Sequence, residues 1–101
     1  MITYTEINVE LQQIKLKLMA EIAAAFKSGK TVMEQGFGPD RLWPACSPSM
    51  ASIATPEYLA QHMVERLSLG TSIQFDGGPA IDLAGLWRDA YDRAERKEVI
   101  A

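Results

Sequence analysis

Between Glu6 and Phe26, apolar residues recur at Ile7, Leu11, Ile14, Leu18, Ile22 and Ala25, at spacings of four and three. That period lines them along one face of an α-helix, predicted over about residues 6–28. Thr5 is the expected N-cap, with Glu6 in the first turn. Lys27 and Lys30 suit the negative end of the helix dipole, and Gly29 is a natural stop. A second apolar stripe, Val9, Leu16, Met19 and Ala23, sits well around the cylinder from the first. This leaves Glu10, Gln13, Lys17 and Glu21 as the cleanly polar sector. A helix apolar over so much of its girth needs cover on two sides. Shorter companion helices supply one side, and a second copy of the chain is expected on the other. Val9, Leu16 and Met19 are therefore candidate interface residues of a homo-oligomer, with a dimer favoured.

The pattern breaks after Lys30. The stretch "GFGPDRLWPACSPSMAS", residues 36–52, holds two glycines and three prolines among Phe37, Leu42, Trp43 and Met50. Regular helices do not run through such punctuation, so residues 30–54 read as a long central loop. Thr55-Pro56-Glu57 then restarts a helix with a cap, a proline at the first position and an acid in the first turn. It is predicted over about 56–69, with Leu59, Met63 and Leu67 as its stripe. Thr71 to Phe75 alternates polar and apolar residues as a short strand does, closed by the "DGGP" turn at Asp76 to Pro79. A helix over about 80–98 ends the pattern, with Leu83, Leu86, Trp87, Ala90 and Ala94 sharing a face. A competing reading pairs "SIQF" with "AIDL" as a hairpin. The expected fold is mainly α: one small domain, 1–101, of three helices with a long central loop and a short β-strand or hairpin before the C-terminal helix.

Composition narrows the class without naming a function. With 101 residues, 48% hydrophobic and 23% charged, the chain has ordinary globular proportions for a single domain. Its single cysteine, Cys46, forms no internal disulfide, and acids stand where a signal peptide would carry positive charge. No apolar run approaches the roughly 20 residues that span a bilayer. A cytoplasmic protein with no membrane partner is the expectation. Thirteen acids oppose ten bases, and the bases are scattered rather than gathered on the basic face that phosphate binding requires. Nucleic acid is therefore not an expected partner. The surplus of acids in residues 51–101 leaves open an inhibitor that mimics nucleic acid on a basic site.

Several short stretches invite chemical readings. "FKSGKT", residues 26–31, ends like a phosphate-binding loop, but Ala24 stands where such a loop has its first glycine. A helix also enters this stretch and a loop leaves it, so a carbonyl end with negative partial charge faces Gly29. The reading is a helix stop. Cys46 and His62, the sole cysteine and histidine, would have to meet in space to form a nucleophile–base dyad, and they define an alternative small-molecule or enzymatic site. One Cys and one His at no ligand spacing do not make a zinc site, so no metal and no cofactor is expected. "FGPDRLW" is the stretch that best suits a partner surface. Phe37, Arg41 and Trp43 are residue types enriched in binding hot spots, and neighbouring prolines stiffen their display. The reading that follows is a non-enzymatic interaction or adaptor protein, self-associating through its first helix and meeting a protein partner through residues 37–43.

Overall fold

The computed structural model describes residues 2–36, 38–43, 55–67, 70–75 and 78–100, with backbone alone for 38–43, 99 and 100. Seven elements follow in chain order: α1 (Tyr4–Lys27), β1 (Val32–Gly36), β2 (Gly38–Trp43), α2 (Pro56–Glu65), β3 (Ser72–Phe75), β4 (Ile81–Asp82) and α3 (Leu83–Ile100). The protein is mainly α, with three helices and a small antiparallel sheet among the described residues.

The first helix begins two residues earlier than its pattern predicts. Thr3, not Thr5, is the cap: its hydroxyl accepts from the Glu6 backbone N–H at 3.2 Å. Thr3 and Glu6 stand three apart, the spacing of a capping box, and Ile2 and Ile7 occupy the flanking positions of a hydrophobic staple. At the other end, the Gly29 N–H donates to the Phe26 carbonyl at 3.1 Å, and the Lys30 N–H donates to the Ala25 carbonyl at 2.9 Å. This doubly bonded ending requires a left-handed residue at the turn, and Gly29 has φ of 78°. "SGK" is thus a helix terminator in which the last carbonyls are satisfied by the chain itself.

The central segment departs from the loop expected over 30–54. Its first part is a β-hairpin, in which Val32 pairs with Trp43, Met33 with Leu42, Glu34 with Arg41 and Gly36 with Gly38. Val32, Met33, Glu34 and Gln35 run apolar, apolar, polar, polar without a strand's alternation, and glycines and prolines follow them. Those residues are compatible with strands here because they lie at the turn and on an edge. Pro39 sits in β2, which is the outer strand of the sheet order β2-β1-β3-β4 and needs no second ladder of hydrogen bonds. Residues 44–54 lie outside the described residues. Gly36 is required for space as well: a Cβ there would lie 2.7 Å from the Thr71 Cγ2.

The second hairpin joins β3 to β4, with Ile73 opposite Ile81 and Ser72 opposite Asp82, so the "SIQF"/"AIDL" pairing is present. Asp82 then caps α3 by accepting from the Gly85 N–H at 2.8 Å. α2 starts as its sequence predicts, Thr55 accepting from the Tyr58 N–H at 3.1 Å, but ends at Glu65 rather than 69. β3 lies antiparallel beside β1, with Val32 opposite Phe75 and Glu34 opposite Ile73.

Helices and sheet share one core. Leu11, Ile14, Leu18 and Ile22 of α1 meet Ala60, Met63 and Val64 of α2, Leu86 and Ala90 of α3, and Val32 and Ile73 of the sheet. Arg66, just after α2, pairs with Glu34 of β1 at 3.4 Å and ties helix to sheet. Lys27 pairs with Glu57, setting the first turn of α2 against the last turn of α1. The hydrogen bond from Lys27, helped by the Glu57 backbone N–H, holds the Glu57 carboxyl below the usual carboxylate range. A depressed folded value means that this contribution is present above the unfolded value and is lost as pH falls through the folded one.

Replacing Gly36 with Ala should destabilise the fold by about 1–3 kcal/mol, since the added methyl would lie 2.7 Å from the Thr71 Cγ2 and force a shift there. Gly29→Ala should cost about 1 kcal/mol through its left-handed backbone. Urea denaturation of the two variants checks both. Equal stability of Gly36→Ala and wild type would mean that β1 and the residue preceding β3 are not this close.

Candidate functional site

The helix that organises the core also carries the largest departure from ordinary burial. Val9 and Leu16 are two turns apart on the side of α1 away from Leu11 and Leu18, and they remain 50% and 65% exposed. Ala20 continues the same strip and is exposed, as are Gln12 and Gln13 between the two aliphatics. Met19 differs from its sequence-based assignment. It lies toward the margin of the strip and packs partly against the core cluster, because its place on the wheel is turned back toward the buried face. The exposed aliphatic pair is thus Val9 and Leu16.

Val9 also lines an open groove of about 500 Å³ between the first turns of α1 and the last turns of α3. Thr5, Glu6 and Glu10 line it from one helix, and Ala94, Lys97 and Glu98 from the other. Its floor holds a feature that the sequence reading placed wrongly. Glu10, assigned to the polar sector, is 3% exposed and forms an ion pair with Lys97. Burying a carboxylate is costly unless it is paired and hydrogen-bonded, and here the lysine reaches in from solvent with its side chain 66% exposed. A signal was present. Glu10 falls between Ile7 and Ile14 at helical spacing, and Lys97 falls three residues after Ala94 and seven after Ala90. Opposite charges interrupting two apolar stripes mark a pair that joins those stripes. The small Ala90 and Ala94, both buried, let the helices approach closely. Farther along the same helix pair, Tyr4 and Trp87 meet with ring centroids 5.4 Å apart.

The remaining sequence candidates are distributed as follows. Phe37 and Cys46 lie outside the described residues. Arg41 and Trp43 occupy β2 at the register positions opposite Glu34 and Val32, so the expected binding loop is in part an edge strand. His62 is exposed on α2 and stacks on Tyr58, with centroids 6.4 Å apart and planes within 5° of parallel. The described residues do not bring His62 to a nucleophile. They also contain no group of three His, Cys, Asp or Glu side chains placed to hold a metal ion. No helix among them is long and apolar enough to cross a membrane.

Removing Lys97 leaves the Glu10 carboxylate unanswered. Because water can reach the lysine end, the cost falls short of that for a fully buried pair, and Lys97→Met should destabilise by about 1–3 kcal/mol. The double variant Glu10→Leu, Lys97→Met should recover most of that loss. A double variant as unstable as the single, measured in urea, would show that the pair supplies more than mutual neutralisation.

Comparison of the chain with protein-family profiles, curated proteins and solved structures finds no match, so the reading below rests on surface chemistry alone.

Proposed function

We propose that this protein is a non-enzymatic interaction or adaptor protein that self-associates through the outer face of α1. One observation carries the reading: Val9 and Leu16, two turns apart on one face of α1, are left exposed by α2, α3 and the sheet. Isolated exposed apolar residues are common on soluble proteins. These two are aligned on one face of a 24-residue helix, and Val9 borders the groove between α1 and α3, which favours a contact surface over chance exposure. Two α1 helices laid together would bury both side chains from each copy.

A heterologous protein partner is assigned to residues 37–43. What supports this is the place of β2 at the sheet edge, where an added strand can form backbone hydrogen bonds. Arg41 and Trp43 are of the types that dominate binding energies at such contacts. A chemical role for Cys46 and His62 has no comparable support, since His62 is engaged with Tyr58 on the surface of α2.

Leu16→Glu should shift the sedimenting species toward monomer while circular dichroism remains that of wild type, because the substitution touches no core residue. Sedimentation velocity over micromolar concentrations checks this. A wild-type protein that is monomeric throughout that range would remove the basis of the reading.

A further inference from the structure

The pattern of charge beside the exposed strip specifies how two copies would meet. Glu6 and Lys17 are both exposed and lie on one flank of the Val9–Leu16 strip, next to Gln13. They are eleven residues apart, or three turns and about 16 Å along the helix. Neither side chain has an ion-pair partner among the described residues. Val9 and Leu16 are centred between residues 12 and 13, and Glu6 and Lys17 between residues 11 and 12. Apolar pair and charged pair therefore share nearly one midpoint. The acid lies at one end and the base at the other.

Resting on the self-association proposed above, we infer that the partner on this face is a second copy in antiparallel orientation, related by a two-fold axis passing near Gln12 and Gln13. A two-fold interface is isologous, so each contact occurs twice. In this arrangement Val9 of each copy meets Leu16 of the other, and Glu6 of each meets Lys17 of the other. Gln12 and Gln13 lie where the two copies cross; the Gln12 amide donates to Asn8 within its own helix, and Gln13, with amide donors and an acceptor, can bond to its counterpart. A parallel arrangement would set Val9 against Val9 and Leu16 against Leu16, leaving acid and base three turns apart.

The groove fits the same geometry. Antiparallel pairing carries Leu16 of the second copy to the level of Val9, where Val9 and Ala94 supply apolar surface and Glu6 and Glu98 supply acids at the rim. Within the groove the Glu10 charge is answered by Lys97, which leaves Glu6 as an unpaired acid at its edge among the described residues. Lys17, adjacent to Leu16, arrives at that rim with the opposite charge. The leucine seats in the groove and the lysine closes on its edge.

Charge reversal distinguishes the orientations. Glu6→Lys alone and Lys17→Glu alone each place like charges together twice in the antiparallel pair, and each should weaken self-association roughly tenfold. A 1:1 mixture of the two variants restores opposite charges at both contacts, so the mixture should sediment as wild type does. Circular dichroism of each variant, unchanged from wild type, confirms that the helix is intact. In a Cys46→Ser background, Val9→Cys and Leu16→Cys proteins should form a disulfide with one another when mixed and oxidised, in preference to self-crosslinking. Self-crosslinking of each variant with no cross product would overturn the antiparallel orientation while leaving self-association in place. A monomeric wild type at tens of micromolar would overturn both.

Discussion

The fold depends on one long helix having enough apolar circumference to support everything else. α1 spans 24 residues, about 36 Å of rod, and it contributes Leu11, Ile14, Leu18 and Ile22 to a core that α2, α3 and the sheet each touch. α2 is ten residues long and β4 only two, and elements that short are not stable in isolation. Each is held because it lies on α1 or on something that does. The ends of α1 are accordingly secured: Thr3 caps its start, and the Ser28-Gly29-Lys30 turn satisfies its last carbonyls. Among the described residues, α2, α3 and the sheet cover one side of α1 and leave Val9 and Leu16 on the other side exposed.

Glu10 and Lys97 show how such a thin assembly is held in register. Alanines at 90 and 94 allow α3 close to α1, but small apolar residues alone would tolerate sliding of one helix along the other. A carboxylate with little access to water cannot slide without losing its one ammonium, and that penalty exceeds the modest net value of the pair itself. Arg66 with Glu34 and Lys27 with Glu57 link the other junctions, at more exposed sites where salt screens them. The polar contacts thus select one arrangement among apolar packings of similar energy.

What was legible in the sequence followed from periodicity. The buried stripe of α1, the proline-led start of α2 and the alanine-rich face of α3 all appear at their helical spacings, because burial there is repetitive. Three features were harder to read, each for a definite reason. Threonines at both 3 and 5 left the start of α1 ambiguous, and the alignment of the Glu6 amide with the Thr3 hydroxyl resolves it. The β1–β2 hairpin hides behind Gly36, Gly38 and Pro39, residues that usually interrupt strands and are tolerated here at a turn and an edge. Glu10 was assigned to solvent because a lone acid normally belongs there, and its burial depends on a lysine 87 residues away. Long-range pairing leaves no local periodic signal. On the outer face of α1, Val9 and Leu16 are exposed, while Met19, whose angular position straddles the two stripes, is partly packed against the core.

The magnitude of the exposed strip limits the kind of assembly it can support. Fully burying a valine or leucine side chain stabilises by about 1.5–3 kcal/mol. Val9 and Leu16 already hide half and about a third of their surface, so four such side chains in a pair supply roughly 4–7 kcal/mol. Association itself costs about 4–15 kcal/mol in lost freedom. The balance is close, and the neighbouring surface has to contribute: the groove walls, the glutamines between the two aliphatics, and the charges at residues 6 and 17. Exposed ion pairs add little affinity but penalise wrong orientations. In the proposed pair, apolar contact would bring two copies together weakly, and charge would decide which way round they lie. A proposed interface of this strength would respond to protein concentration and salt, as a reversible association does and a permanent dimer does not.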